Sequence, residues 1–230
     1  MKTAVIIPAL NEAGNIGQLV QDTLEQPVDW VIVVDNGSTD KTAALAEKMG
    51  AMVVSEPRKG YGYACAAGTG VALGEKADVL VYMDGDFSSL PGEVTRLLEP
   101  IQKDEADLVL GSRTLGHIAH GAMLPHQRFG NLLSSRLMSR LYHVDVTDLG
   151  PFRAIRSDVM RDLNMQEMTF GWPTEMMVKV AREYGRIVEV PVSWHVRRSG
   201  KSKVSGTLKG SILAAYYILG ITLRYAWLQT

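Results

Sequence analysis

A chain of 230 residues with 46% hydrophobic and 21% charged content can bury one good core, so one domain with at most a small appendage is expected. A net charge of −1 argues against general affinity for nucleic acid, and the single cysteine, Cys65, excludes an internal disulfide framework. No charged-then-apolar leader precedes the first strand, and together these features predict a reducing, cytoplasmic setting.

The β-branched run Thr3 to Ile7 predicts a first strand ended by Pro8, and Asn11 is expected to cap a helix to about Glu25 with Ile16, Leu19, Val20 and Leu24 inside. Trp30 to Val34 predicts a second strand, closing on Asp35-Asn36-Gly37-Ser38-Thr39-Asp40, where Ser38 or Asp40 can cap a helix from Ala43 to Met49. Ala51 to Ser55 reads as strand, Tyr61 to Leu73 as a helix of small residues, and Val79 to Met83 as a buried strand. This alternation predicts an α/β fold with a mostly parallel central sheet and helices on both faces.

Further on, a helix is expected over Pro91 to Lys103 and a strand over Asp107 to Arg113. Thr114 to Gln127, without periodicity, predicts a mobile loop. A helix over Arg128 to Tyr142, a strand over Arg153 to Ile155, a helix over Pro173 to Tyr184 and a strand over Ile187 to His195 complete the main unit, residues 1–206. After Glu189 there is no acid, while Arg197, Arg198, Lys201, Lys203, Lys209 and Arg224 follow, which predicts a local cationic surface. The uncharged stretch Gly210 to Leu223, within an apolar helix over 207–230, is short of the roughly 20 residues a membrane span needs. It is expected to lie on a membrane surface, ahead of a core or homodimer contact.

The fourth strand ends on Asp84-Gly85-Asp86. Ligands of open α/β sheets gather at the carboxyl ends of strands, and two carboxylates this close raise one pKa or require a cation. A hard divalent ion, Mg2+ or Mn2+, bound together with a phosphate or diphosphate ligand meets that requirement. Asn11 and Glu12 follow strand one, and Asp35 and Asn36 follow strand two, so an amide and carboxylates at neighbouring strand ends can read a base edge and ribose hydroxyls. Lys59 and Gly60 add a cation and close backbone approach, whereas capping and turn formation remain open roles for Asn11, Ser38, Asp40 and Gly37. The glycines from Gly68 to Gly74 miss the dinucleotide fingerprint in spacing and follow a helix, and no phosphate-cradling P-loop occurs.

Five segments in order carry a family resemblance: Pro8-Ala9-Leu10-Asn11-Glu12, Val34-Asp35-Asn36-Gly37-Ser38-Thr39-Asp40, Asp84-Gly85-Asp86, Gly111-Ser112-Arg113 and Arg198-Ser199-Gly200-Lys201-Ser202-Lys203. The chain resembles family-2 glycosyltransferases of the GT-A fold, and within them the polyprenyl-phosphate, or dolichyl-phosphate-type, sugar transferases. The resemblance implies a UDP- or GDP-sugar donor held by Pro8, Leu10, Glu12, Asp35 and Asn36, with Asp84 and Asp86 bridging its diphosphate through the metal. Arg113, Arg128, Arg198 and Lys201 are the candidate anion contacts, and Asn11, Lys59, Gly60 and Gly85 complete the donor pocket. Glu175 matches an acidic position that deprotonates a hydroxyl acceptor, or is a first-turn helix acid; a phosphate acceptor needs no such base. Asn36 stands where many relatives have an acid and Ser88 where they carry a larger amide, so water or His195 is expected to complete the metal shell. The implied activity is metal-dependent hexosyl transfer, with inversion, to a polyprenyl phosphate at the inner face of the plasma membrane. The rivals are the same donor chemistry onto a soluble hydroxyl acceptor, and a sugar-nucleotide-binding protein that has lost catalysis.

Overall fold

The computed structural model describes residues 1–200 and 208–227, with side chains described for 1–200 and 216–227. The described residues form a seven-stranded sheet in the order β3-β2-β1-β4-β6-β5-β7. Its strands are β1 (Thr3–Ala9), β2 (Trp30–Asp35), β3 (Met52–Ser55), β4 (Val79–Tyr82), β5 (Leu108–Ile118), β6 (Arg153–Arg156) and β7 (Ile187–Trp194). β6 runs antiparallel to both neighbours, and every other pairing is parallel. The expected mostly parallel sheet is therefore present, interrupted by one reversed strand.

Successive residues of a strand point to opposite faces, and the two faces bury separate cores. Ile6, Ile32, Val34, Leu80 and Tyr82 pack under α3 (Tyr61–Gly74), α5 (Pro125–Tyr142), α6 (Ser157–Asp162) and α7 (Trp172–Glu183). Val5, Ile7, Val31, Val33 and Val81 pack under α1 (Ile16–Leu24), α2 (Thr42–Lys48) and α4 (Val94–Gln102). A short 3-10 turn, Pro91–Glu93, precedes α4. The last helix, α8 (Leu208–Trp227), lies against α5 and α7: the Tyr142 hydroxyl donates to the carbonyl of Thr222 at 2.5 Å and the Tyr225 hydroxyl to Glu175 Oε1 at 2.6 Å. Among the described residues no helix is long and apolar enough to cross a membrane.

Several boundaries differ from expectation for identifiable reasons. β1 continues through Pro8, which pairs with Val34 of β2. Ile6 O accepts from Met83 and Ala9 O from Asn36, so by alternation the Pro8 nitrogen points to the side where β4 has already ended, and its missing N–H forfeits no ladder bond. Asn11 does not cap α1: it sits at φ 53°, and the helix begins only at Ile16. Leu24, at the end of α1, is 40% exposed rather than internal. Of the expected loop from Thr114 to Gln127 only 119–124 lies outside a strand or helix: Thr114 to Ile118 is the second half of β5, pairing His117 with Ser193 and Ile118 with Trp194 past an irregularity, and α5 already starts at Pro125. Gly116 makes this possible, since a Cβ there would come within 2.0 Å of the Val192 carbonyl oxygen.

Candidate active site

Because β1, β2 and β4 are parallel neighbours, their carboxyl ends share one edge of the sheet, and β5 and β7 deliver theirs to the same edge. The loops along that edge are tied to one another by side chains. The Asn11 N–H donates to Ser38 Oγ at 2.9 Å and its Oδ1 accepts from the Thr39 N–H at 2.8 Å, so Asn11 binds the loop after β1 to the loop after β2. Asp35 accepts the Ser38 N–H at 3.2 Å; neither Ser38 nor Asp40 is the N-cap of α2, which is Lys41, though Asp40 accepts the Thr42 N–H at 3.0 Å. Asn36, 6% exposed, spends both amide protons on the carbonyls of Glu56 and Arg58 at 3.0 and 2.7 Å and accepts the Gly60 N–H at 2.9 Å. It shapes the loop between β3 and α3, which carries exposed Lys59, rather than presenting its amide to a ligand. Gly60 lies against the backbone of Met168, where a Cβ would come within 2.6 Å of the carbonyl oxygen.

Asp84 and Asp86 follow β4 at the centre of the edge. The Asp84 carboxyl is pushed up to about 7, first by burial and then by the charge of Asp86, against a smaller opposing pull from Arg113. The Tyr61 hydroxyl lies 3.5 Å from Asp84 Oδ1. Asp86 Oδ1 accepts the Ser88 N–H at 3.0 Å and the Ser88 hydroxyl at 2.5 Å, while its Oδ2 lies 3.7 Å from Arg197 Nη1. Phe87, between them, is held at φ 63°, a backbone region that a bulky side chain rarely occupies outside constrained sites. His195, just past β7, donates its backbone N–H to the Ser88 carbonyl at 2.8 Å, and its Nε2 is buried without a partner. Among the described residues no group of three or more His, Cys, Asp or Glu side chains is assembled to hold an ion. The two carboxylates, one of them charged only at a cost, do suit a cation whose remaining ligands are oxygens of a bound substrate and water.

The cations of the site are arranged differently from what the sequence predicts. Arg197, which the motifs do not single out, donates to Glu12 Oε1 at 2.7 Å and links that acid, 7% exposed, to Asp86. Its neighbour Arg198 is exposed, lies 5.1 Å over the Phe87 ring and donates its backbone N–H to the Asp86 carbonyl. Lys201 lies outside the described residues. Arg113 is held by Asp148, which is wholly buried and accepts its N–H and Nε at 2.7 Å and Nη2 at 2.6 Å; the guanidinium also stacks 4.9 Å from the Trp194 ring. Arg128 is an exposed residue of α5, lining a cavity with Thr114, Asn131 and Thr147.

Glu175 does not have the setting of a base. At 1% exposure it accepts the N–H of Gln166 at 3.0 Å, the N–H of Glu167 at 2.7 Å and the Tyr225 hydroxyl at 2.6 Å, and it pairs with Lys179 at 3.1 Å. Burial alone would raise its carboxyl, but these bonds hold it below the usual range. Pro8 and Leu10 border the edge half-buried, and Gly85 lies beside them, a Cβ there coming 3.4 Å from the Pro8 carbonyl oxygen.

Residues 4–163 match the family described as glycosyl transferase family 2. An uncharacterised glycosyltransferase of Mycobacterium tuberculosis is 36% identical, over 91% of this chain and 93% of its own. An undecaprenyl-phosphate mannosyltransferase of Micrococcus luteus is 32% identical, over 100% of this chain and 98% of its own. The crystal structure of glucosyl-3-phosphoglycerate synthase from M. tuberculosis in complex with Mn2+, uridine diphosphate and phosphoglyceric acid superposes with a TM-score of 0.78 at 21% identity, covering 98% of this chain and 78% of that one.

Proposed function

The chain belongs to glycosyl transferase family 2 and has the GT-A fold, and from that premise we propose that it moves a hexose from a UDP- or GDP-sugar to a polyprenyl phosphate, with inversion. The observation that carries the donor half is the pair Asp84 and Asp86 at the centre of the ligand-bearing sheet edge, with Asp84 driven to about 7 by burial and by its neighbour. Asp84 and Asp86 would hold Mg2+ or Mn2+, with donor and water oxygens completing its shell. When bound, the ion neutralises charge building on the departing nucleoside diphosphate. Pro8, Leu10, Glu12 and Asp35 border the nucleoside, while Asn11 and Asn36 keep the loops of that pocket in place. Arg197 holds Glu12 and faces Asp86, and Asp148 keeps the Arg113 guanidinium oriented near Asp84. These two fixed cations favour the dianionic leaving group over water without having to reorganise, and Arg198, Lys201 and Lys59 are proposed to add positive charge.

Two observations support a phosphate acceptor. The Micrococcus luteus relative is named for undecaprenyl phosphate, and Glu175, the candidate base for a hydroxyl, is consumed in packing. A phosphate oxygen is already anionic and attacks without deprotonation. The phosphoglyceric acid held by the M. tuberculosis synthase supports the rival, a soluble acceptor. The purified protein is to be given Mn2+ and UDP- or GDP-hexoses with either polyprenyl phosphate in detergent or phosphoglyceric acid. Sugar should enter the lipid product; transfer only to the soluble acid would overturn the acceptor assignment.

The raised Asp84 carboxyl sets a pH dependence. Its folded pKa, about 7, exceeds the ordinary 3.8, so in the metal-free protein the folded state holds the proton more tightly and stability falls as pH rises through that window. A cation relieves this above about pH 7, whereas below it a proton must first leave. The rise in melting temperature on adding Mn2+ and UDP should therefore be larger at about pH 8 than at about pH 6. A shift independent of pH would show that Asp84 is not the group the ion meets.

A further inference from the structure

We propose that the outward face of α5 rests on the surface of an anionic lipid bilayer. This extends the polyprenyl-phosphate reading but is tested without that acceptor. The inner side of α5 buries Ser134, Ser135, Met138 and Tyr142. On the outer side Phe129, Leu132 and Leu133 are 67%, 44% and 49% exposed, and Arg136 and Arg140 continue the same stripe one and two turns later. Single exposed apolar residues are ordinary, but three within two turns form a patch that asks for a cover.

The chemistry of the face selects the occupant. α5 contains three arginines, one histidine and no acid, so it offers apolar groups to an acyl boundary and guanidinium groups to phosphates, the composition of a helix lying in a membrane interface. A symmetric contact with a second copy would set Arg136 and Arg140 against like charges. Position agrees as well. Asn131 on α5 donates to the Thr147 carbonyl at 3.2 Å and accepts the Leu149 N–H at 3.1 Å, bracketing Asp148, which clamps Arg113. A cavity of about 260 Å³, lined by Thr114, Arg128, Leu132 and Thr147, opens between this helix and the end of β5. The lipid-facing helix and the anion-binding edge are thus one connected unit, and a phosphate displayed by a bilayer would approach the site along it.

The test is flotation of the full chain with vesicles of phosphatidylglycerol and phosphatidylcholine, and of phosphatidylcholine alone, with no polyprenyl phosphate present. The wild-type chain should float with the anionic vesicles in a salt-sensitive manner. Phe129→Glu/Leu133→Glu should abolish flotation, and Arg136→Ala/Arg140→Ala should weaken it about tenfold or more, each variant melting like the wild type because the substituted groups are exposed. Absence of flotation, or flotation unchanged in the apolar double variant, would overturn the proposal. So would light scattering that shows a lipid-indifferent dimer dissolved by the same variant, which would assign the face to a second copy. Flotation lost while transfer to a detergent-dispersed acceptor persists in Phe129→Glu/Leu133→Glu supports the docking face and leaves the enzymatic reading standing. Flotation retained by a wild-type chain that glycosylates only soluble acceptors removes the acceptor reading alone.

Discussion

Asp86→Ala is expected to abolish metal-dependent binding of the nucleoside diphosphate and to lower transfer by on the order of 10³-fold, the scale of losing a fixed electrostatic partner of developing charge. The effect should be specific to ligand and ion. Asp86 is only half-buried, the hydrogen bonds given for its carboxylate come from Ser88, and Arg197 keeps its closer partner Glu12 at 2.7 Å, so the fold loses little. Removing the charge of Asp86 also removes the second-largest cause of the raised Asp84 carboxyl, whose pKa should move down from about 7 in the metal-free variant, a change that carboxyl NMR reads directly. Calorimetry showing UDP affinity unchanged in the presence of Mn2+ would refute the central assignment, whatever the acceptor.

The second large effect belongs to stability. Glu175→Ala removes the acceptor of two backbone N–H groups and the Tyr225 hydroxyl, and it strands the Lys179 ammonium, 8% exposed, without its opposite charge. Breaking a buried pair by removing one partner costs about 3–5 kcal/mol, so the melting temperature should fall steeply and α8 should loosen from α7. A residue acting as a base would behave otherwise, losing kcat with the melting temperature intact. The sign of the pH dependence is fixed by the direction of the shift. The carboxyl is held below its ordinary 4.5, so its contribution is fully present above that value and disappears as pH falls through the lower folded pKa. The gap in stability between wild type and variant should therefore narrow in acid; a gap constant with pH would mean the charge of Glu175 contributes nothing.

The first four strands of this protein are largely apolar runs of four to seven residues, and the polar residues that follow them mark where a ligand edge must lie. Residues such as Val31 to Val34 and Val79 to Tyr82 determine their own conformation because a fully buried parallel strand needs nothing beyond itself to be recognisable. The acid pair after β4 is legible for the same reason, since the electrostatic problem of two carboxylates one residue apart is local. Of α5 the sequence shows only a helical stretch over Arg128 to Tyr142; exposure of Phe129 and Leu133 depends on which faces the neighbouring elements leave open.

Tertiary structure alone decided the partners. Glu12 meets Arg197 across 185 positions, Glu175 meets Tyr225 across 50, and Arg113 meets Asp148 across 35. Nothing in the spacing of Arg197 and Arg198 says which guanidinium turns inward, and nothing near Asn36 announces that its amide is spent on the carbonyls of Glu56 and Arg58. Residue periodicity specifies a face and an element; a hydrogen-bond partner is fixed only when strand order brings distant loops to one edge. So the sequence by itself determined the sheet and the location of its chemistry, while the assignment of each polar group to a ligand or to the scaffold had to await the packing of the chain.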